Sequence, residues 1–445
     1  MNEKSWGGSV PNSNQHKEYY PAMFYLLSLI ALSAGLLAAK NPKYSIVVFG
    51  IMLAVIPTGN SYSEIISLKG IYFFDFYIVG GLGALLVRQV VSQRNQLTAP
   101  GGLLFGCGLY LVLLACGLLE SSNKYLLKDV RPFIMILSFI VLSNIATLAA
   151  KTLKLQTVLM LLIAMTAFNV LDIAWLRLGL YKFQDVYYEE NAYRYLDGGT
   201  YAAVAYLIYY FIDPRLFEQR KKLARICLAT SFICLFIANS RFIFVSVFAA
   251  IIIHQYTKPA RMIGVALAGA VVLMAFIGVS NMIGADRIND GLSSEGMAAQ
   301  LGTRFSPALE LIRGMNPLHY FVGLGAGTPF EIPWFEYRGL DDKNSNIDSA
   351  YLTYFVKYGL IGLYLLYVFI TSITQHMHSR VAVSIAVFLG VMFVVSATPY
   401  QPYAIGIAYG AIVLRVCAEH TARQRKKLLK PDLPLITMPL QVKAG

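Results

Sequence analysis

Apolar runs of roughly the length that crosses a bilayer alternate with short polar connections through most of the chain. They fall near 22–39, 44–57, 71–91, 102–119, 132–150, 155–177, 199–213, 223–239, 242–256, 261–283, 347–374, 380–397 and 402–417. The pattern predicts an all-α protein, a polytopic integral membrane bundle of about 12–14 transmembrane helices. Only Ser240-Arg241 separates the runs 223–239 and 242–256, so the two are expected to form a tight hairpin. The run at 44–57 is short.

One connection is long. Residues 284–346 carry eight acidic and five basic side chains. Connections of this size are functional or disordered, and this one carries the signals of an ordered segment. Ser306-Pro307 reads as a helix start, a capping hydroxyl followed by proline at the first helical position. Gly314 reads as its stop. Phe305, Leu309 and Ile312 would give that short helix one apolar face, lying on the membrane or roofing a cavity. The chain therefore divides into a polar N-terminal segment 1–21, a bundle 22–283, a large partly helical loop 284–346, C-terminal spans 347–417 and a basic tail 418–445. The first apolar run lacks a clear cleavage site and is expected to be a retained span.

Composition agrees with the pattern. The chain is 57% hydrophobic and only 14% charged, against about 25% charged in soluble domains. Its net charge of +13 is not read as a nucleic-acid footprint, because the basic residues cluster in short connections. Arg215, Arg220, Lys221, Lys222 and Arg225 crowd one of them, Lys258 and Arg261 another, and the tail holds Arg423-Gln-Arg-Lys-Lys427. These belong on the cytoplasmic side. The loops 177–198, 284–346 and 398–401 then lie outside. Lys124, Lys128 and Arg131 break the rule, falling in a connection that the count places outside. The five cysteines all sit in or at the end of apolar runs and read as small buried hydrophobes.

Candidate chemistry gathers at the outer ends. Arg304 and Arg313 suit a phosphate or pyrophosphate, because guanidinium groups bind such anions in bidentate fashion. Alternatively they are solvated or pair with acids of the same loop. Gly323 and Gly325, in Val322-Gly-Leu-Gly-Ala-Gly-Thr-Pro329, allow either close approach of a ligand or a tight turn. Asp348, just before the span 347–374, either faces a cavity or serves the helix dipole. Arg241 stands in a two-residue turn beside hydrocarbon and either serves a site or snorkels to headgroups. Asp75 and Asp172 are intramembrane carboxylates that either act on a substrate or pair with a structural Lys or Arg. His319 is a weaker candidate base. Metal-site spacing, a P-loop and a Gly-x-Ser-x-Gly elbow are absent from the sequence, so no metal and no cofactor are expected.

Several of these residues together carry a resemblance. Ser240-Arg241 opens a span, Arg304 precedes a Gly-x-Gly turn, and Asp348-Ser-Ala-Tyr-Leu352 runs into Tyr358-Gly-Leu-Ile-Gly-Leu363. Over about residues 235–370 this resembles the O-antigen polymerase and ligase superfamily of bacterial inner membranes. Ligases of that superfamily commonly show His-Asn before the Tyr-Leu pair. Asp348-Ser349 stand there instead, which fits the polymerases of O-antigen or exopolysaccharide repeat units better. The resemblance implies a metal-independent GT-C-type glycosyltransferase of the inner membrane, with its site facing the periplasm. Its substrate would be an oligosaccharide on polyprenyl pyrophosphate, and a chain-length regulator protein is an implied partner. Arg241 and Arg304 would hold the pyrophosphate and Asp348 would serve as base, with Arg313, Gly323, Gly325, Ser349, Tyr351, Asp75, Asp172 and His319 as substrate-binding candidates. A ligase, or a flippase or secondary transporter, is the alternative.

Overall fold

Helices dominate the computed structural model. It describes residues 19–54, 67–68, 71–92, 99, 101–120, 124–177, 196–238, 240–254, 294–332, 343–375 and 377–428, with isolated positions between 263 and 274. The polar segment 1–18, most of the run 261–283, the start of the large loop at 284–293 and the tail beyond Leu428 lie outside the described residues. The helices are α1 (Tyr19–Leu36), α2 (Pro42–Ala54), α3 (Asp75–Ser92), α4 (Gly101–Glu120), α5 (Lys124–Ala149), α6 (Leu155–Arg177), α7 (Gly198–Ile212), α8 (Lys221–Ala238), α9 (Arg241–His254), α10 (Ser294–Arg313), α11 (His319–Val322), α12 (Ala350–Thr374), α13 (Ser379–Val395) and α14 (Ile405–Leu428).

Among the described residues, five segments are long and apolar enough to cross a membrane: Ala22–Ala39, Gly101–Leu119, Tyr125–Ala149, Ala350–Thr374 and Pro402–Arg423. Shorter apolar helices, α2, α7 and α13 among them, complete the bundle. The protein is therefore an all-α membrane protein. Among the described residues, two antiparallel ladders of two residues per strand ornament it, Ser67–Leu68 on Ile71–Tyr72 and Phe330–Glu331 on Lys343–Asn344.

Hydrophobic burial organises the bundle around α7 and α14. They run parallel from the same end, with Gly406 of α14 against the Gly198 carbonyl of α7. Nearly every side chain of α7 is buried. Its start is set by Asp197, whose carboxylate accepts from the Thr200 amide in a capping box. Tyr201 donates to Gln401, Tyr206 to the Ala224 carbonyl and Tyr209 to the Ala411 carbonyl, so the phenols are satisfied inside the apolar core.

The elements sort to two ends. The starts of α3, α5, α7, α12 and α14 gather at one, together with α10 and the second ladder. The basic connections gather at the other, where Arg88 donates to the Ala39 carbonyl and Arg415 to the Gln375 carbonyl. Lys128, from the connection that violated the charge rule, donates to Asn344 at the loop end. Arg131 is buried there against Asp75. These cations are kept at that end by specific partners.

Three sequence expectations change. The loop helix starts at Ser294, and Pro307 lies inside it. A proline removes one helical hydrogen bond, which the packing of Phe305, Ala308 and Ile312 into a small loop core outweighs. Leu309 is not on that face; it is 42% exposed. The helices flanking Ser240-Arg241 do not form a packed hairpin. Phe236 and Phe244 meet at the corner, with ring centroids 5.5 Å apart, but α8 packs on α6 and α7 while α9 packs chiefly on α13.

The loop core and the bundle meet at α12, which breaks at Gly359 (φ 58°, ψ −142°). A Cβ at Gly323 (φ 78°) would lie 2.2 Å from the Lys357 carbonyl. Gly323→Ala therefore combines a positive-φ penalty on the order of 1–3 kcal/mol with a backbone clash. A lowered melting temperature of the purified protein, or loss of folded protein from membranes, is expected; an unchanged melt would contradict this packing.

Candidate functional site

The break in α12 frees backbone carbonyls in an apolar setting, where an unmet polar group is costly. The glycine-rich turn after α11 meets them. Leu324 N–H donates to the Val356 carbonyl (2.8 Å) and Gly325 N–H to the Lys357 carbonyl (2.9 Å). Gly323, Gly325 and Gly327 all have positive φ, which lets the backbone bend around α12. So Gly323 and Gly325 form a tight turn with a structural load, and the close approach they permit is to the protein's own helix.

Beneath this turn lies a fully buried ion pair. Lys357 Nζ, on α12, donates to Asp129 Oδ1, on α5. The same oxygen accepts from Tyr400 (3.0 Å), in the α13–α14 connector, and Oδ2 accepts from Gly327 N–H (2.6 Å). Tyr110 donates to the Asp129 carbonyl (3.0 Å). Burial holds the Tyr400 phenol well above its usual pKa, so it stays protonated as a donor. Asp129 thus ties α4, α5, α12, the glycine turn and the connector together.

Two residues along α5, on another face of the helix, Arg131 forks onto Asp75 with Nη1 2.6 and 2.7 Å from the two carboxylate oxygens. Asp75 also accepts from the Tyr72 amide (2.8 Å). The guanidinium lies 4.9 Å from the Tyr72 ring centroid and 5.0 Å from that of Phe74. Of the two readings for Asp75, the structural pairing is the one observed. Its buried charge is already matched.

The rim differs. Arg304 Nη1, on α10, stands 3.4 Å from Asp348 Oδ2, just ahead of α12, with the side chains 41% and 60% exposed. Asp348 does not cap α12. Ser349 does, accepting from the Leu352 amide while its hydroxyl donates to the Phe393 carbonyl (3.3 Å). Tyr351 donates to the Gly390 carbonyl (3.2 Å). Ser349 and Tyr351 therefore anchor α12 to α13. Arg313 ends α10 and is exposed. His319 opens α11, and its Nδ1 is buried without a hydrogen-bond partner. Arg241 is the first residue of α9 and Asp172 lies in α6; their side chains lie outside the described residues.

Asp129, Lys357 and Tyr400 were not legible as a site. Lys357 carried the one usable signal, a lysine inside an apolar span, which requires a partner. Asp129 was hidden in Lys128-Asp-Val-Arg131, which reads as a basic connection.

Residues 43–425 match a family of unknown function, DUF6369. The chain belongs to that family. No curated protein and no solved structure matches it. Function in this DUF6369 protein must accordingly be read from its own groups. Among the described residues the loop end holds four ion pairs: Lys357–Asp129 and Arg131–Asp75 are sealed from solvent, while Arg304–Asp348 at the mouth and Lys343–Glu331 across the second ladder are open.

Removing one partner of a buried pair costs about 3–5 kcal/mol, whereas replacing both is often near neutral. Lys357→Met alone is expected to destabilise the protein by that amount, and Asp129→Asn with Lys357→Met to recover most of it. A double-mutant cycle on thermal unfolding reads this; additive losses would remove the pair from its central role.

Proposed function

We propose that this protein is a membrane glycosyltransferase of the GT-C type. It polymerises polysaccharide repeat units, moving the growing glycan from polyprenyl pyrophosphate to a new lipid-linked unit. The site lies at the loop end of a bundle of about thirteen spans. That end faces the periplasm and the basic end faces the cytoplasm of a bacterial inner membrane. The observation that carries the reading is the solvent-open Arg304–Asp348 pair at the mouth of the bundle. Among the candidate acids whose side chains are described, Asp75 is consumed by a buried partner, while Asp348 can reach a substrate.

The chemistry follows from these two groups. An acceptor hydroxyl attacks the anomeric carbon of the donor, the bond from that carbon to the pyrophosphate oxygen breaks, and the pyrophosphate leaves with the electron pair. Asp348 takes the hydroxyl proton. Arg304 stabilises the charge that develops on the leaving group, and its planar fork matches the phosphate oxygens better than lysine would. The pyrophosphate competes with Asp348 for Arg304, so substrate binding opens the ion pair and releases the carboxylate for the hydroxyl. Arg241 is assigned to the same leaving group.

A lipid transporter is the second reading, favoured by the broken helix and buried charge in α12. The Val356 and Lys357 carbonyls at the break are already taken by the Leu324 and Gly325 amides, so these two are not offered to a coupling ion. The enzyme reading is therefore preferred.

Asp348→Asn is expected to lower polymer synthesis at least about 100-fold, with an unchanged melting temperature because Ser349 caps α12. Arg304→Lys should be impaired nearly as much as Arg304→Ala. Normal polymer ladders from all three, in protein confirmed in the membrane, would refute the assignment.

An Arg–carboxylate site needs no metal bridge to the pyrophosphate. The rate of purified protein on lipid-linked substrate should persist in excess EDTA; a loss restored by magnesium or manganese would overturn that part of the mechanism.

A further inference from the structure

The segment between α10 and the second ladder does not stay at the rim. Two rulers measure how far it goes. The first is α12, where Phe321 and Tyr320 lie against Gly359. A Cβ there would meet the Phe321 carbonyl carbon at 2.5 Å. Gly359 is the tenth residue of Ala350–Thr374, roughly 14 Å along the helix at about 1.5 Å per residue. The second ruler is α4. Tyr358, next to Gly359, meets Tyr110 with ring centroids 5.6 Å apart. Tyr110 is the tenth of the twenty residues of Gly101–Glu120, a helix about as long as the hydrocarbon layer is thick. Both rulers put α11 near mid-depth. The chain then climbs again, since Ala326 packs on Gly117, close to the loop end of α4.

Non-helical backbone is tolerated at that depth only where its polar groups are met by protein. The amides of Gly323, Leu324, Gly325 and Gly327 are all met, by His319, Val356, Lys357 and Asp129. The side chains on the outside are apolar. Leu318 is 65% exposed, Phe321 59% and Val322 38%. Leu360 and Leu363, on the α12 segment just below the break, are exposed as well. Their helix is a membrane span, so the band they belong to is a lipid-facing one, and α11 continues it upward.

We infer that Leu318–Gly325 is a re-entrant segment. It dips into the bilayer from the loop end, turns back on its glycines, and presents Leu318, Phe321 and Val322 to lipid hydrocarbon. The occupant of this apolar face is the acyl-chain layer of the membrane. The large loop is thus a rim structure with a membrane-inserted hairpin, and this stands whatever reaction occurs at Arg304 and Asp348.

The full chain with its native cysteines replaced by alanine, carrying Phe321→Cys, Val322→Cys or Glu310→Cys, tests this in membrane fragments open to both faces. A charged, membrane-impermeant maleimide is expected to label Glu310→Cys, on the exposed side of α10, readily. The other two should react several-fold more slowly until the membrane is dissolved in denaturing detergent. As a second measurement, Phe321→Trp in a background with the three native tryptophans replaced by phenylalanine is reconstituted in phosphatidylcholine vesicles. Bromine at mid-chain should quench it more than bromine near the headgroup, and both more than aqueous iodide. Labelling of Phe321→Cys and Val322→Cys as fast as Glu310→Cys, or quenching dominated by iodide, would overturn the insertion and leave α11 as a water-facing element.

Discussion

A lysine ammonium sealed inside an apolar bundle must be matched, and Asp129 is what matches Lys357. Much of the loop end hangs on that match. The carboxylate draws in the Gly327 amide and the Tyr400 phenol as well, so one charged residue fixes a helix, a turn and a connector against each other. Removing it would leave several donors unmet at once, which is why the pair is sealed so completely. Its burial also makes it unsuitable as chemistry: nothing from outside can touch it.

The broken helix and the glycine turn are two halves of one solution. A break in a membrane span releases carbonyls that lipid cannot satisfy. A turn with free amides is equally costly there. Each supplies what the other lacks, and three glycines with positive φ allow the approach. The rim is built on top of this unit. The loop core of Ala308, Met315, Phe330, Ile332 and Ile347 packs on Val356, which places α10, and hence Arg304, relative to α12, and hence Asp348.

Fold class was plain in the sequence because membrane spans are a matter of length and composition, and both are local. The anomalous connection with Lys128 and Arg131 does lie at the same end as the described part of the large loop, where counting runs put it. The rim pair was legible one residue at a time: Arg304 and Asp348 could be singled out, but not their contact across 44 positions. What was hidden depends on tertiary context. Ser306-Pro307 is a good local helix start, yet a longer helix with an internal proline won because its face is buried. The glycines looked like a ligand loop, and only the break at Gly359 reveals what they serve. Asp129 was invisible because its neighbours in sequence are cations and its partner in space is 228 residues away.

That separation sets an order on biosynthesis. Asp129 emerges from the ribosome 228 residues before Lys357 and 271 before Tyr400. Until α12 arrives, α5 enters the membrane with an acid that has neither its cation nor its phenol, although Arg131 already has Asp75, made earlier. The N-terminal half can therefore thread but not close. Completion of the bundle waits for a late helix, because the Asp129 carboxylate has its cation only once Lys357 is in place.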